Sequence, residues 1–209
     1  MPYLHSKSRL EAFSDAVFAF AATLLVVSLE VPDSFELLKQ QLSGFVSFGI
    51  TFFALVLIWK VHYNFFRRTE HIDNWIIAGN MVLLFVILYF VYPLKFLVNL
   101  TTNMRAMNFE DLATLFQMYG IGFSLVFSCV AFLYWWASRL HVDDVVYGEL
   151  RFYFRHFSIF AIIGGLSVLM AMAQWGIWFG LPGFFYAMLG PICYYHGQRW
   201  GYDRPDLAN

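Results

Sequence analysis

Long apolar segments separated by short polar linkers dominate this sequence. A transmembrane helix needs about 20 mostly apolar residues, and six segments have that length and character. They lie near residues 10–31, 44–66, 74–99, 111–136, 153–174 and 177–198. Backbone exposed to lipid must satisfy its own hydrogen bonds, which favours helices. We therefore predict a single domain over residues 1–209, an all-α integral membrane bundle of six helices.

The composition supports a membrane protein and argues against several other classes. Of the 209 residues, 60% are hydrophobic and only 13% are charged, whereas a soluble domain carries about 25% charged residues. The net charge of −1 gives no reason to expect a nucleic-acid partner. The six histidines lack the spacing of a metal site, and no nucleophile–histidine–acid set or phosphate-binding loop is present. We therefore expect no enzyme activity, no metal and no cofactor.

The distribution of lysine and arginine predicts the orientation in the membrane, because these residues are enriched in cytoplasmic loops. With the N-terminus in the cytoplasm, Lys39, Lys95 and Arg105 lie outside, and Lys60 lies within the second segment. The other nine lie inside: Lys7, Arg9, Arg67, Arg68, Arg139, Arg151, Arg155, Arg199 and Arg204. This bias predicts a multi-pass protein of the cell membrane with both termini in the cytoplasm.

Three of the predicted helices carry polar residues at a similar depth near the cytoplasmic end. Ser14 and Asp15 lie one to two turns into the first helix, His62 lies near the end of the second, and Asn80 near the start of the third. Such residues usually have partners within the protein. We favour a hydrogen-bonded clasp between the helices, since this is a common packing device. A proton relay or an ion site at Asp15 and His62 is the alternative.

The motif R-x-x-x-F-S-D at the start of the first helix carries a family resemblance. Together with WKVHYNFF and NMVLLFVILYFVYP in the next two helices, it resembles the transmembrane-protein-175 family of potassium channels, mainly over residues 9–100. The matching residues that we assign to the motif and the polar clasp are Arg9, Phe13, Ser14, Asp15, Trp59, His62 and Asn80.

The resemblance implies an oligomeric architecture. Prokaryotic members have one six-span repeat per chain and form homotetramers in the lipid bilayer. The first helix of each repeat lines a central pore through which potassium ions pass. The motif residues contact the neighbouring helices, including the tryptophan and histidine of the second span. This expectation agrees with the clasp.

The resemblance also assigns pore residues on the first helix. It implies the narrowest apolar constriction at Phe20, further apolar layers at Leu24 and Val27, and a role in selectivity at Thr23. Phe20 departs from the isoleucine or leucine usual in the family and would narrow the pore. Without the resemblance, such an apolar stripe is more typical of a packing face. Glu30 is either a carboxylate ring at the outer mouth or a solvated helix-end charge.

These observations predict a potassium leak channel with weak selectivity over sodium. A single ring of threonine hydroxyls replaces only part of the hydration shell of an ion. A proton-coupled or other secondary carrier, a proton-conducting membrane protein and a non-transporting scaffold remain as alternatives. Carriers usually have repeats, broken spans and a charged site near the midplane, whereas the charge of the first helix lies near one face.

Overall fold

The computed structural model describes residues 6–27, 33–102, 107–141 and 143–200, and these contain helices and turns without a β-strand. The long helices are α1 (Lys7–Val27), α2 (Phe35–Arg68), α3 (Asn74–Thr102), α4 (Phe109–Leu140) and α5 (Asp144–Met172). A 3₁₀ turn (Ile177–Phe179), α6 (Leu181–Phe184), a second 3₁₀ turn (Phe185–Met188) and α7 (Leu189–Trp200) follow. Within the described residues, α1 to α5 contain segments long and apolar enough to cross a membrane. The predicted all-α membrane bundle is confirmed.

Several helices extend beyond the apolar segments that predicted them. Helix α2 begins at Phe35 and so includes part of the polar linker before the second segment. The side chain of Asn108 caps α4 by accepting the amide of Asp111 at 2.8 Å, and Asp143 caps α5 in the same way through Val145 at 2.8 Å. A side-chain cap satisfies backbone donors at a helix start. Polar residues can therefore begin a helix before its apolar part.

The last predicted segment, 177–198, differs most from a regular span. Gln174, Gly176 and Gly180 have positive φ angles of 57, 66 and 65°, so the chain reverses direction after α5. The short helical pieces from α6 to α7 are joined without a break. The residues at their junctions, Phe185 and Leu189, keep right-handed helical backbone angles, with φ of −61 and −58°. The predicted sixth span is therefore a composite helical run that returns along α5.

Close packing of α3, α4 and α5 forms the centre of the core. Rings of α4 and α5 stack on each other, as between Tyr134 and Phe157, whose centroids are 5.5 Å apart. The end of α2 joins this core through Arg68, whose Nε lies 2.7 Å from Glu149 on α5. Arg68 also donates through Nη2 to the hydroxyl of Tyr153 at 2.9 Å. The core thus leaves α1 at one side of the bundle, against α2 and α3.

We expect Gly122→Ala to lower the thermal stability of the protein. A Cβ atom at Gly122 would lie 2.6 Å from Cδ2 of Phe90 on α3, and Phe90 is itself buried. Overpacking of this kind costs about 1–3 kcal/mol. Gly148→Ala on α5 is the matched control, because no atom lies within 4 Å of its added Cβ. Thermal unfolding in detergent, followed by size exclusion, measures both; equal melting temperatures would contradict close packing at Gly122.

Candidate ion pore and its polar anchor

A buried chain of hydrogen bonds joins α1, α2 and α3. The ring Nε2 of His62 lies 2.8 Å from Oδ1 of Asn80, and Nδ2 of Asn80 donates to Oγ of Ser14 at 2.9 Å. The hydroxyl of Ser14 donates in turn to the carbonyl of Leu10 at 2.8 Å. Because the amide oxygen of Asn80 only accepts, Nε2 of His62 carries a proton. The three side chains are at most 3% exposed.

Asp15 lies outside this buried chain. Its Oδ1 accepts the indole N–H of Trp59 at 2.8 Å, at an exposed position between α1 and α2. Between Asp15 and His62, both described, the structure contains no hydrogen bond. We call Ser14, Asp15, Trp59, His62 and Asn80 the polar anchor. The structure therefore brings together five of the seven residues that the sequence assigned to the motif and clasp.

The other two motif residues do not contribute to the polar anchor. Arg9 is exposed, and Phe13 has 52% of its surface exposed. Two buried aromatic rings pack against the anchor inside the subunit. The ring centroids of Phe18 and Phe66 lie 5.4 and 4.8 Å from that of His62. These rings exclude water, which strengthens the buried hydrogen bonds.

The polar anchor sets the rotation of α1 and thereby leaves one face uncovered. Ser14, Phe18, Ala21 and Leu25 are buried against the bundle, with exposures of 5% or less. At 3.6 residues per turn, the opposite side of α1 includes Ala16, Phe20, Thr23 and Val27. All four are exposed, Phe20 by 56% and Val27 by 72%. We call these four residues the uncovered face.

The predicted pore residues do not all lie on the uncovered face. Phe20, Thr23 and Val27 lie there, whereas Leu24 is partly buried at its flank and lines a small cavity with Leu88 and Val91 of α3. A spacing of three or four residues selects a broad stripe on a helix, part of which is exposed and part of which packs against α3. The spacing alone therefore did not distinguish the partly buried Leu24 from the exposed Phe20 and Val27. Glu30 lies outside the described residues.

One polar contact in the neighbourhood was missed by the sequence analysis. Asp73 begins α3, where its Oδ1 accepts the amide of Ile76 at 2.9 Å and its Oδ2 accepts the indole N–H of Trp136 at 2.8 Å. This second indole–carboxylate pair ties α3 to α4. Aspartate just before a helix start is a cap signal, but no spacing in the sequence indicates the tryptophan partner.

Metal binding finds no support in the described part of the chain. It contains no group of three or more histidine, cysteine, aspartate or glutamate side chains that are placed to hold an ion. The uncovered face has one hydroxyl, Thr23, whose Oγ1 donates to the carbonyl of Ala19 at 2.9 Å. Its oxygen lone pairs remain available to a cation, since the hydroxyl hydrogen is used within the helix.

Comparison with known proteins gives a consistent family. The family described as "Endosomal/lysosomal potassium channel TMEM175" matches residues 9–93. A protein of Marivirga tractuosa named "Potassium channel" is 35% identical over 149 residues, which cover 64% of this chain and 60% of that protein. The chain thus spans about three fifths of the length of this curated relative.

Two solved structures share the fold. A crystal structure of a variant of the potassium channel MtTMEM175, in complex with a nanobody–MBP fusion protein, superposes with a TM-score of 0.82 at 28% identity and covers 94% of each chain. The second, of a lysosomal potassium-selective channel TMEM175 homolog from Chamaesiphon minutus, gives a TM-score of 0.55 at 22% identity. It covers 88% of this chain and 97% of that one, and shows likeness of fold. The family match over residues 9–93 and the fold shared with MtTMEM175 agree with the resemblance of this chain to the TMEM175 family.

Proposed function

We propose that this chain is a subunit of a potassium channel in the cell membrane. Four copies would surround a central axis with α1 innermost and both termini in the cytoplasm. The family description and the names of the relatives support potassium as the permeant ion. The family is one of potassium channels and not of enzymes. The observation that carries the proposal is the uncovered face of α1.

The uncovered face suits a shared axis better than a lipid contact. Ala16 and Thr23 are small, and small residues allow helices to approach closely. At the levels of Ala16 and Thr23 the uncovered face therefore leaves room between neighbouring helices, and Thr23 places an oxygen there. The polar anchor holds this face outward from its own subunit. Neighbouring copies related by symmetry would therefore meet around it.

Permeation would follow from the residues of the uncovered face. A ring of Phe20 side chains forms an apolar constriction, and apolar constrictions gate ions by excluding water. One turn further out, the Thr23 hydroxyls present oxygen lone pairs to a partly dehydrated cation. Leu24 would narrow the pore from the flank, and Val27 would form the next apolar layer. A single hydroxyl ring accounts for weak selectivity of potassium over sodium. Glu30 is proposed to concentrate cations at the outer mouth.

The geometry of the polar anchor supports packing over proton relay. The chain from His62 to Ser14 passes through the amide of Asn80, and an amide does not take up or release protons at neutral pH. The chain then ends at a backbone carbonyl. Asp15 instead accepts a hydrogen bond from the indole of Trp59, and an indole does not take up or release a proton at neutral pH. A proton-coupled carrier would need an ionisable group in the path of the substrate.

The selectivity role of Thr23 is tested by Thr23→Ala. We expect a lower permeability ratio of potassium to sodium, falling toward unity, because the methyl group offers no oxygen to the ion. Bi-ionic reversal potentials of purified protein in planar bilayers measure the ratio. Thr114→Ala is the matched control, since Thr114 on α4 is also exposed and donates to a carbonyl one turn back, at 2.9 Å.

The same recordings separate the proposed function from its alternatives. Single-channel steps carried by potassium support a channel. Coupled flux without single-channel steps would indicate a carrier. If neither steps nor coupled flux occur, the protein is a non-transporting scaffold. A reversal potential that is unchanged in Thr23→Ala, or changed equally in Thr114→Ala, would contradict the assignment of Thr23.

A further inference from the structure

Two histidines pack together between α5 and α7. The rings of His156 and His196 have centroids 5.7 Å apart, and Phe152 stacks on His196 at 4.8 Å with an interplanar angle of 29°. His196 is only 9% exposed. This contact lies at the end of the bundle where Arg68 of α2 pairs with Glu149 of α5. It takes no part in the polar anchor or the uncovered face.

Three nitrogen atoms of this histidine pair are buried without a partner. They are Nδ1 of His156 and both Nδ1 and Nε2 of His196. A neutral imidazole has one N–H donor and one lone pair, so His196 can both donate and accept. Leaving a buried polar group unpaired destabilises the folded state. Buried polar atoms in proteins are paired with few exceptions, and these three point to a polar ligand.

Two arginines surround the histidine pair with positive charge. The guanidinium of Arg155 lies 4.7 Å from the ring centroid of Trp200, and that of Arg199 lies 5.9 Å from the same ring. Arg199 also donates through Nη1 to the hydroxyl of Tyr195 at 3.1 Å. In the described part of the chain the ion pair is that of Arg68 with Glu149, so no carboxylate there neutralises these two arginines. A metal cation is disfavoured beside two guanidinium groups.

The depth of this site places it at the membrane surface. Helix α5 has 29 residues and is therefore about 43 Å long at 1.5 Å per residue, whereas the hydrocarbon core is about 30 Å thick. Placed at the N-terminal end of α5, this excess of about 13 Å ends within about 4 Å of Arg155, which lies about 16 Å along the helix. The long side chain of Arg155 can bridge that distance to the headgroups. Trp200 and Tyr195 are exposed at the same level, as is typical of interfacial aromatic residues.

We propose that Arg155, His156, His196, Arg199 and Trp200, here called the basic cluster, bind the phosphate headgroup of an anionic phospholipid. Phosphate oxygens accept hydrogen bonds from guanidinium groups in a favourable planar geometry. The N–H of His196 supplies a further donor from the buried side. Trp200 holds both guanidinium groups by cation–π contact. Basic pockets between transmembrane helices at the cytoplasmic side are known to bind anionic headgroups.

The test is lipid binding by the purified full-length protein. Native mass spectrometry with added phosphatidylglycerol or phosphatidylcholine gives the affinity for each lipid. We expect preference for phosphatidylglycerol, and a loss of about fivefold in its affinity for each of Arg155→Gln and Arg199→Gln, from about 1 kcal/mol per arginine. Arg139→Gln is the matched control, because Arg139 also stacks on a tryptophan, Trp135, at 4.0 Å, away from the basic cluster.

A second variant separates lipid binding from a packing role. His196→Phe keeps a ring against Phe152 but removes both unpaired nitrogens. We expect it to weaken phosphatidylglycerol binding severalfold. Unchanged binding with a raised melting temperature would show that the nitrogens only destabilise the fold, and would overturn the proposal. Equal losses in Arg139→Gln, or displacement of the lipid by millimolar inorganic phosphate, would overturn it as well, the latter by indicating a site for free phosphate.

Discussion

Replacing Asn80 by leucine should strongly destabilise the protein and impair its assembly. Asn80 is fully buried and joins His62 to Ser14 through both ends of its amide. In Asn80→Leu the N–H of His62 would lose its acceptor in an apolar layer, at a cost of about 1–3 kcal/mol. Ser14 would keep its bond to the carbonyl of Leu10 but lose its link to α3. We expect a lower melting temperature and a loss of the assembled species in size exclusion.

A double variant gives this prediction its control. In Asn80→Leu with His62→Phe the orphaned N–H is removed together with its partner, and replacing both members of a pair by apolar groups can be nearly neutral. The double variant should therefore regain part of the stability lost in Asn80→Leu. If Asn80→Leu melts like wild type, or if the double variant is no more stable than Asn80→Leu, the polar anchor does not hold α1 in place.

Phe20→Ala should raise the single-channel conductance severalfold. In the proposed tetramer four Phe20 rings meet at the narrowest level, and an apolar constriction of that size opposes hydration of the passing ion. Alanine widens and wets this level without touching the polar anchor, since Phe20 lies on the opposite side of α1 from Ser14. Planar-bilayer recording in symmetric potassium solution gives the conductance directly.

Two exposed phenylalanines on other helices serve as controls for Phe20. Phe53 on α2 and Phe85 on α3 are 68 and 72% exposed, and their replacement by alanine should leave conductance unchanged. An unchanged conductance in Phe20→Ala would mean that this ring packs against a neighbouring helix. An increase in all three variants would point to a general effect on the fold or on the surrounding lipid.

The polar anchor was predictable because depth along a helix follows from counting residues. A rise of 1.5 Å per residue placed Ser14, His62 and Asn80 at one level before any contact was known. The exact partners were less accessible, because they depend on helix rotation. Thus Asp15 accepts a hydrogen bond from Trp59, and His62 is hydrogen-bonded to Asn80, although the sequence also allowed contact between Asp15 and His62.

Features that depend on rotation or on backbone turns were beyond the sequence. Leu24 shares the apolar spacing of Phe20 but lies at the flank of α1, since the edge of a stripe is fixed by packing against α3. Composition indicated one sixth span, whereas the turn at Gly176 and Gly180 and the 3₁₀ pieces divide it. The length of a hydrophobic segment can be read from the sequence, but whether its backbone hydrogen bonds form one regular α-helix cannot.

The most direct test of the central claim asks whether the uncovered face of α1 lines the path of potassium. Val27→Cys, in a background where Cys129 and Cys193 are replaced by alanine, places one thiol per subunit at this face, where Val27 is 72% exposed in the single chain. Single-channel potassium current is recorded before and after a charged methanethiosulfonate reagent is added. The account predicts that the reagent abolishes or sharply reduces the current. Current that persists unchanged, while mass spectrometry shows the thiol to be fully modified, would contradict it.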